Sequence, residues 1–234
     1  MTPRSFRATL LSGLLCATLA HAQDAPDGKQ ISIQGANGAP ACITCHGAHG
    51  EGNPAAGFPQ LAGIGARYLA EQLEAMANGS RVSPIMAATA KALSPAQQDA
   101  VARYYAGLPS PLNTDRLAAT AMHPVKPADT GAWLATRGAW DKNVPACNQC
   151  HGPGGIGVGE NFPSLAGQPA AYIAGQLRAW QQGQRPPGPL GLMPAVATRL
   201  TDAEIDAVSA YYAGLPAAAD LVATQSPANQ GKKP

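Results

Sequence analysis

Apolar side chains return to one helical face in several separate stretches of the 234-residue chain, and no stretch sustains the two-residue alternation of a strand. Across residues 66–78, Leu69, Leu73 and Met76 share a face, and Gly79 follows as a stop. Across residues 170–182, Ile173, Leu177 and Trp180 repeat that pattern ahead of Gly183. Two further helices open on capping boxes, Ser94-Pro95-Ala96-Gln97 and Thr201-Asp202-Ala203-Glu204. They run into Tyr104-Tyr105 and Tyr211-Tyr212, with stops expected at Gly107 and Gly214. Residues 129–140 predict another helix. The Pro-rich stretch 110–128 reads as a linker, and 217–234 as a disordered polar tail. The fold class is all-α.

These elements occur twice. Residues 41–109 begin Ala-Cys-Ile-Thr-Cys-His-Gly, residues 146–216 begin Ala-Cys-Asn-Gln-Cys-His-Gly, and both end Tyr-Tyr-Ala-Gly-Leu-Pro. Between these ends, Phe58-Pro59-Gln60-Leu61-Ala62-Gly63 answers Phe162-Pro163-Ser164-Leu165-Ala166-Gly167. Tyr68, Gln72, Leu73, Gly79 and Arg81 answer Tyr172, Gln176, Leu177, Gly183 and Arg185. This is an internal duplication. It divides the chain into an N-terminal domain, 23–109, the linker 110–128, and a C-terminal domain, 129–216. Each copy has about 70 residues, and the whole chain has only three Trp, six Tyr and three Phe. So small a unit with so few aromatics needs another source of flat apolar bulk, which points to a cofactor in each domain.

Composition adds a location and excludes some partners. Arg4 and Arg7 precede the apolar stretch 10–19, and Ala20-His21-Ala22 offers small residues where a signal peptidase reads, so residues 1–22 form an expected signal peptide with cleavage before Gln23. Cys16 suggests a lipoprotein less well, because Leu15 stands where a small residue is expected. The mature chain is therefore expected in the periplasm, and no later segment has 18 consecutive apolar residues. It keeps 14 basic and 14 acidic residues, so no nucleic-acid partner or anionic lipid surface is indicated. Peripheral attachment to the membrane remains open.

The chemistry is concentrated in Cys42-Ile43-Thr44-Cys45-His46 and Cys147-Asn148-Gln149-Cys150-His151. Cys-x-x-Cys-His is the attachment pattern of haem c. On one helical turn both thiols reach the two vinyl groups of a porphyrin while the imidazole points at its iron. A shared zinc site would have to bring together two pairs separated by 101 residues, each inside its own repeat. A disulfide within one motif closes too small a loop to stabilise much. A thioredoxin-type motif would need a preceding strand. The pattern thus predicts two covalently bound haem c groups on Cys42, Cys45, Cys147 and Cys150, with His46 and His151 as iron ligands.

The duplication also sorts the methionines. Met86 and Met193 lie at matching places, 40 and 42 residues after His46 and His151, and are the expected sixth ligands. Met76 aligns with Trp180 and reads as core, while Met122 falls in the linker. His49 and His123 have no counterpart in the other copy and read as surface residues.

Together, the paired Cys-x-x-Cys-His-Gly motifs, the Phe-Pro-x-Leu-Ala-Gly segments, the Tyr…Gln-Leu…Gly-x-Arg helices and the paired methionines resemble the cytochrome c4 family. The resemblance implies two tandem cytochrome c domains related by an approximate two-fold, with the haems close together near the interface and their propionates facing one another. It implies a dihaem electron carrier passing electrons between respiratory proteins toward a terminal oxidase. The alternatives are a dedicated cytochrome subunit of a periplasmic dehydrogenase or oxidase, and a dihaem enzyme such as a peroxidase or thiosulfate-oxidising cytochrome. A dihaem enzyme would require an open or unusually ligated iron. The expected Met ligation opposes that, and no catalytic residue is indicated.

Overall fold

The computed structural model describes residues 25–225, so the expected signal peptide and the last nine residues lie outside the described part. Eleven α-helices follow one another there, and the extended pairings are isolated bridges such as Asn53–Phe58 and Val158–Phe162. The first domain holds α1 (Gly28–Gln34), α2 (Ile43–His46), α3 (Ala66–Ala77), α4 (Met86–Ala92) and α5 (Pro95–Gly107). After α6 (Thr114–Thr120), the second holds α7 (Thr130–Thr136), α8 (Asn148–His151), α9 (Ala170–Gln181), α10 (Leu192–Ala197) and α11 (Asp202–Gln225).

Local chemistry sets these boundaries. Asp27 caps α1 by accepting from the amides of Lys29 and Gln30. Both expected capping boxes form: Ser94 and Gln97 bond reciprocally at the start of α5, and Thr201 and Glu204 do so at α11. In each domain the first and last helices cross where only a glycine fits. A Cβ on Gly28 would collide with the carbonyl of Ala100, and one on Gly131 with that of Ala207. Around these crossings, Ile31, Leu69, Leu93, Val101 and Tyr105 build the first core. Leu134, Ile173, Leu177, Ile205, Val208 and Tyr212 build the second.

Three elements differ from the sequence reading. The helix expected over 129–140 is limited to α7, followed by a 3-10 turn at Trp140–Lys142. The stretch 110–128 contains α6, capped by Asn113, and its Leu117 is only 1% exposed within the second core. One well-placed apolar residue anchors a segment whose composition reads as loop. Finally, α11 does not stop at Gly214 but runs through Pro216 to Gln225, into the stretch expected as a tail. Leu215, 4% exposed, holds that turn in the core. Pro216 has no N–H for the carbonyl four residues earlier, and the Tyr212 carbonyl instead accepts the amide of Gly167 at 2.9 Å. In the first domain Tyr105 accepts from Gly63 at 3.0 Å in the same way, although α5 ends at Gly107.

The domains meet through polar backbone contacts. The side chain of Gln168 accepts the amide of Gln60 at 3.0 Å and donates to its carbonyl at 3.1 Å. Glu160 of the second domain caps α3 of the first, its carboxylate accepting from Arg67 N and its carbonyl from Tyr68 N. The amide of Val82 donates to the Gln184 carbonyl at 2.8 Å.

Candidate haem sites

α2 and α8 are single helical turns that carry the two Cys-x-x-Cys-His motifs. Their cysteines are free and half-buried. Burial raises the Cys42 thiol above its usual range and pushes Cys147 up to about 11, so both surroundings favour uncharged sulfur. Among the described residues no group of three or more His, Cys, Asp or Glu is arranged to hold a metal ion.

His46 and His151 are 5% and 7% exposed. The Nδ1 atom of His46 lies 2.9 Å from the Pro59 carbonyl, and that of His151 lies 2.8 Å from the Pro163 carbonyl. A carbonyl only accepts, so each Nδ1 carries the hydrogen and each Nε2 keeps its lone pair for a ligand. Burial lowers both imidazoles below the ordinary histidine range, against the raising effect of these carbonyl bonds, which keeps the lone pair free near neutral pH. Phe58 and Phe162 stand beside the two imidazoles, with ring centroids 6.2 Å away in both domains. The Phe-Pro-x-Leu-Ala-Gly segments therefore orient the histidines.

Met86 is half-buried at the first position of α4, its amide donating to Ser83 Oγ at 3.2 Å. Met193 is half-buried in α10 and packs on the second core together with Cys147. Its loop is tied down by Trp180, whose Nε1 donates to the Pro186 carbonyl at 3.0 Å. Met76 is buried on α3, whereas Met122, His49 and His123 are exposed.

Several contributors are invisible to motif reading. Tyr105 shares a 2.7 Å hydrogen bond with Ser32, while its counterpart Tyr212 donates to Asn148 at 2.7 Å. Burial raises both phenols well above the ordinary tyrosine range. Between the domains, Arg81 donates to Gln72 of its own domain and to Tyr172 and Gln176 across the seam. Arg185 reciprocates, donating to Gln176 of its own domain and to Tyr68 and Gln72 across the seam. The repeat marks all six residues in advance, but says nothing of their pairing across domains.

Residues 25–108 match the family model described as cytochrome c, and residues 132–211 match that of cytochrome c oxidase, cbb3-type, subunit III. The crystal structure of reduced recombinant cytochrome c4 from Pseudomonas stutzeri is 32% identical, with a TM-score of 0.63, over 82% of this chain and 99% of that one. The chain belongs to the cytochrome c4 family. It carries the two covalently bound haem c groups of that dihaem family on two tandem cytochrome c domains. Free thiols three residues apart and an imidazole whose Nε2 keeps its lone pair in each domain fit that cofactor. This cytochrome c4 homologue is also 50% identical to the thiosulfate dehydrogenase electron acceptor of Thiomonas intermedia, strain K12, over 76% of this chain and 80% of that protein. It resembles the as-isolated thiosulfate dehydrogenase of Marichromatium purpuratum with a TM-score of 0.69 and 42% identity, covering 80% of itself and only 39% of that chain.

Proposed function

We propose that this cytochrome is a periplasmic electron carrier that takes electrons from a thiosulfate-oxidising dehydrogenase and delivers them to a respiratory acceptor such as a terminal oxidase, without turning over a substrate of its own. The observation that carries the proposal is the 50% identity to a thiosulfate dehydrogenase electron acceptor across most of both chains. It favours a dedicated cytochrome partner of a dehydrogenase over a general carrier. The haems supply reversible one-electron Fe(III)/Fe(II) chemistry. In this reading His46 and Met86 would hold one iron and His151 and Met193 the other, a ligand set that would leave no position for a substrate. The Pro59 and Pro163 carbonyls fix the imidazoles, which limits reorganisation as charge changes. Periplasmic residence rests on the signal peptide read at residues 1–22, and no helix among the described residues is long and apolar enough to cross a membrane.

Stopped-flow spectroscopy of the oxidised holoprotein tests this. Thiosulfate alone is expected to leave it oxidised, and thiosulfate with a catalytic amount of thiosulfate dehydrogenase to reduce both haems. Sustained oxidation of thiosulfate or peroxide by the cytochrome alone at about 1 per second or faster would overturn the carrier reading.

A further inference from the structure

We infer that the electron donor docks on the first domain, on an uncharged apolar patch formed by Ile33, Ile43 and Ala48 beside the Cys42–Cys45 attachment turn. The donor's identity rests on the function proposed above; the face it meets does not. The duplication supplies an internal comparison for that face. Gly28 and Gly131 make the same helix crossing, and Gly35 and Gly138 follow α1 and α7 at the same spacing with the same left-handed backbone, φ 74° and 75°. Ile33 of α1 therefore answers Thr136 of α7. Within the attachment motifs, Ile43 answers Asn148 and Thr44 answers Gln149. Past them, a Cβ on Gly50 would collide with the ring of Tyr105, and one on Gly155 with that of Tyr212. This fixes the register there, so Ala48 answers Pro153 and His49 answers Gly154.

In the second domain this face is partly roofed. Thr136, Ala146, Asn148, Gln149 and Pro153 line a recess of about 220 Å³ together with Ala121, the residue that follows α6. α6 packs on the turn Pro153–Gly155 and on α11, and a Cβ on Gly154 would lie 2.0 Å from the Leu117 carbonyl oxygen. In the first domain His49 holds the place of Gly154, and its side chain fits because no helix among the described residues lies over it. Ala48 and His49 are exposed there, and Ile33 is 45% exposed. Covered surface is ordinarily the more apolar and open surface the more polar. Here the order is inverted. The roofed copy carries Thr136, Asn148 and Gln149, with Asn148 accepting from the Tyr212 hydroxyl at 2.7 Å, whereas the open copy carries Ile33, Ile43 and Thr44. Single exposed apolar residues are ordinary, but an apolar patch beside the attachment site of a redox cofactor marks a surface that a partner removes from water. Charge narrows that partner. The patch carries none; at its rim Lys29 lies one turn before Ile33, and Glu51 turns back to accept the His49 amide at 2.8 Å. One basic and one acidic group leave no net field, so the complementary face of the donor is apolar and uncharged.

Two measurements on the holoprotein test the patch, one without the donor and one with it. Adsorption to a methyl-terminated alkanethiol monolayer on gold, read by quartz-crystal microbalance, uses an uncharged apolar surface as the probe. Stopped-flow reduction by thiosulfate with thiosulfate dehydrogenase reads docking itself. Ile33→Lys and Ala48→Lys are each expected to lower the affinity for the monolayer and the second-order rate constant by about ten-fold. Both reduction potentials and the rate of reduction by dithionite should stay at native values, and Ile33→Leu should behave as the native protein. Leu190→Lys, at a site 91% exposed in the methionine loop of the second domain, should change neither readout. Native adsorption in both lysine variants overturns the inference, and so does a loss confined to Leu190→Lys, which moves docking to the second domain. A dehydrogenase rate untouched in both lysine variants also overturns it, even where adsorption falls. If the dehydrogenase leaves the native protein oxidised while adsorption still falls in both lysine variants, the proposed donor fails and the patch stands.

Discussion

Met86 and Met193 hold equivalent places in the duplication and are half-buried in equivalent short helices, which is why we assign both as sixth ligands. A thioether stabilises ferrous iron more than an imidazole does. Met86→His and Met193→His should therefore each lower one of the two reduction potentials and leave the other nearly in place. The expected drop is on the order of 0.1 V, a modest part of the roughly 0.8 V that axial ligation spans. Spectroelectrochemical titration of the holoproteins checks this, and Met76→His serves as the control. Altered iron spectra in the control, with none in Met86→His, would reverse the assignment. These positions are legible in the sequence because covalent attachment confines three of the four groups to five residues, and the repeat then sorts the methionines. The partners that set imidazole direction are legible only as a matched motif. Nothing local shows that the carbonyls of Pro59 and Pro163, 13 and 12 residues away, receive the Nδ1 hydrogens. Arg81 and Arg185 are hidden further, since their cross-domain partners lie 91 to 117 residues away.

At the scale of helices, periodicity and capping chemistry locate α3, α5, α9 and the start of α11, because those signals lie within one or two turns. Composition misleads where a single residue decides. In α6, Leu117 is sealed in the second core, and the backbone of Gly154 approaches its carbonyl so closely that a Cβ there would collide with it. Leu117→Ala should destabilise the protein by about 2–5 kcal/mol, against about 0.5 kcal/mol or less for Met122→Ala at a site 86% exposed. Denaturant unfolding of the holoproteins, followed by circular dichroism, measures both. Equal midpoints would make α6 a passive connection. Duplication itself conceals some packing, because the copies solve one problem with different helices. Gln98 of α5 donates to the carbonyls of Ala90 and Leu93, whereas Gln181 of α9 serves Ala197 and Leu200. Aligning the repeats by position cannot reveal that exchange, since the two glutamines do not align.

The whole molecule joins two haem domains through a seam in which polar groups are reciprocally satisfied, and its charge is as balanced as its architecture. Residues 23–109 carry five basic and six acidic groups, and residues 124–216 carry six of each. Such a polypeptide projects little net field toward a partner from either half. Association with a redox partner should then depend mainly on apolar contact around an exposed haem edge, and salt should change its rate only modestly. Raising ionic strength from about 0.01 M to 0.15 M shortens the screening length from about 30 Å to about 8 Å, enough to expose any steering that exists. Across that range the second-order rate constant for reduction by thiosulfate dehydrogenase, measured by stopped flow, is expected to change by less than about threefold. Electrostatic steering raises association rates by about ten-fold to a thousand-fold and is lost steeply with salt. A fall of about ten-fold or more would therefore place a charged docking patch on one domain that the even distribution of charge along the sequence conceals.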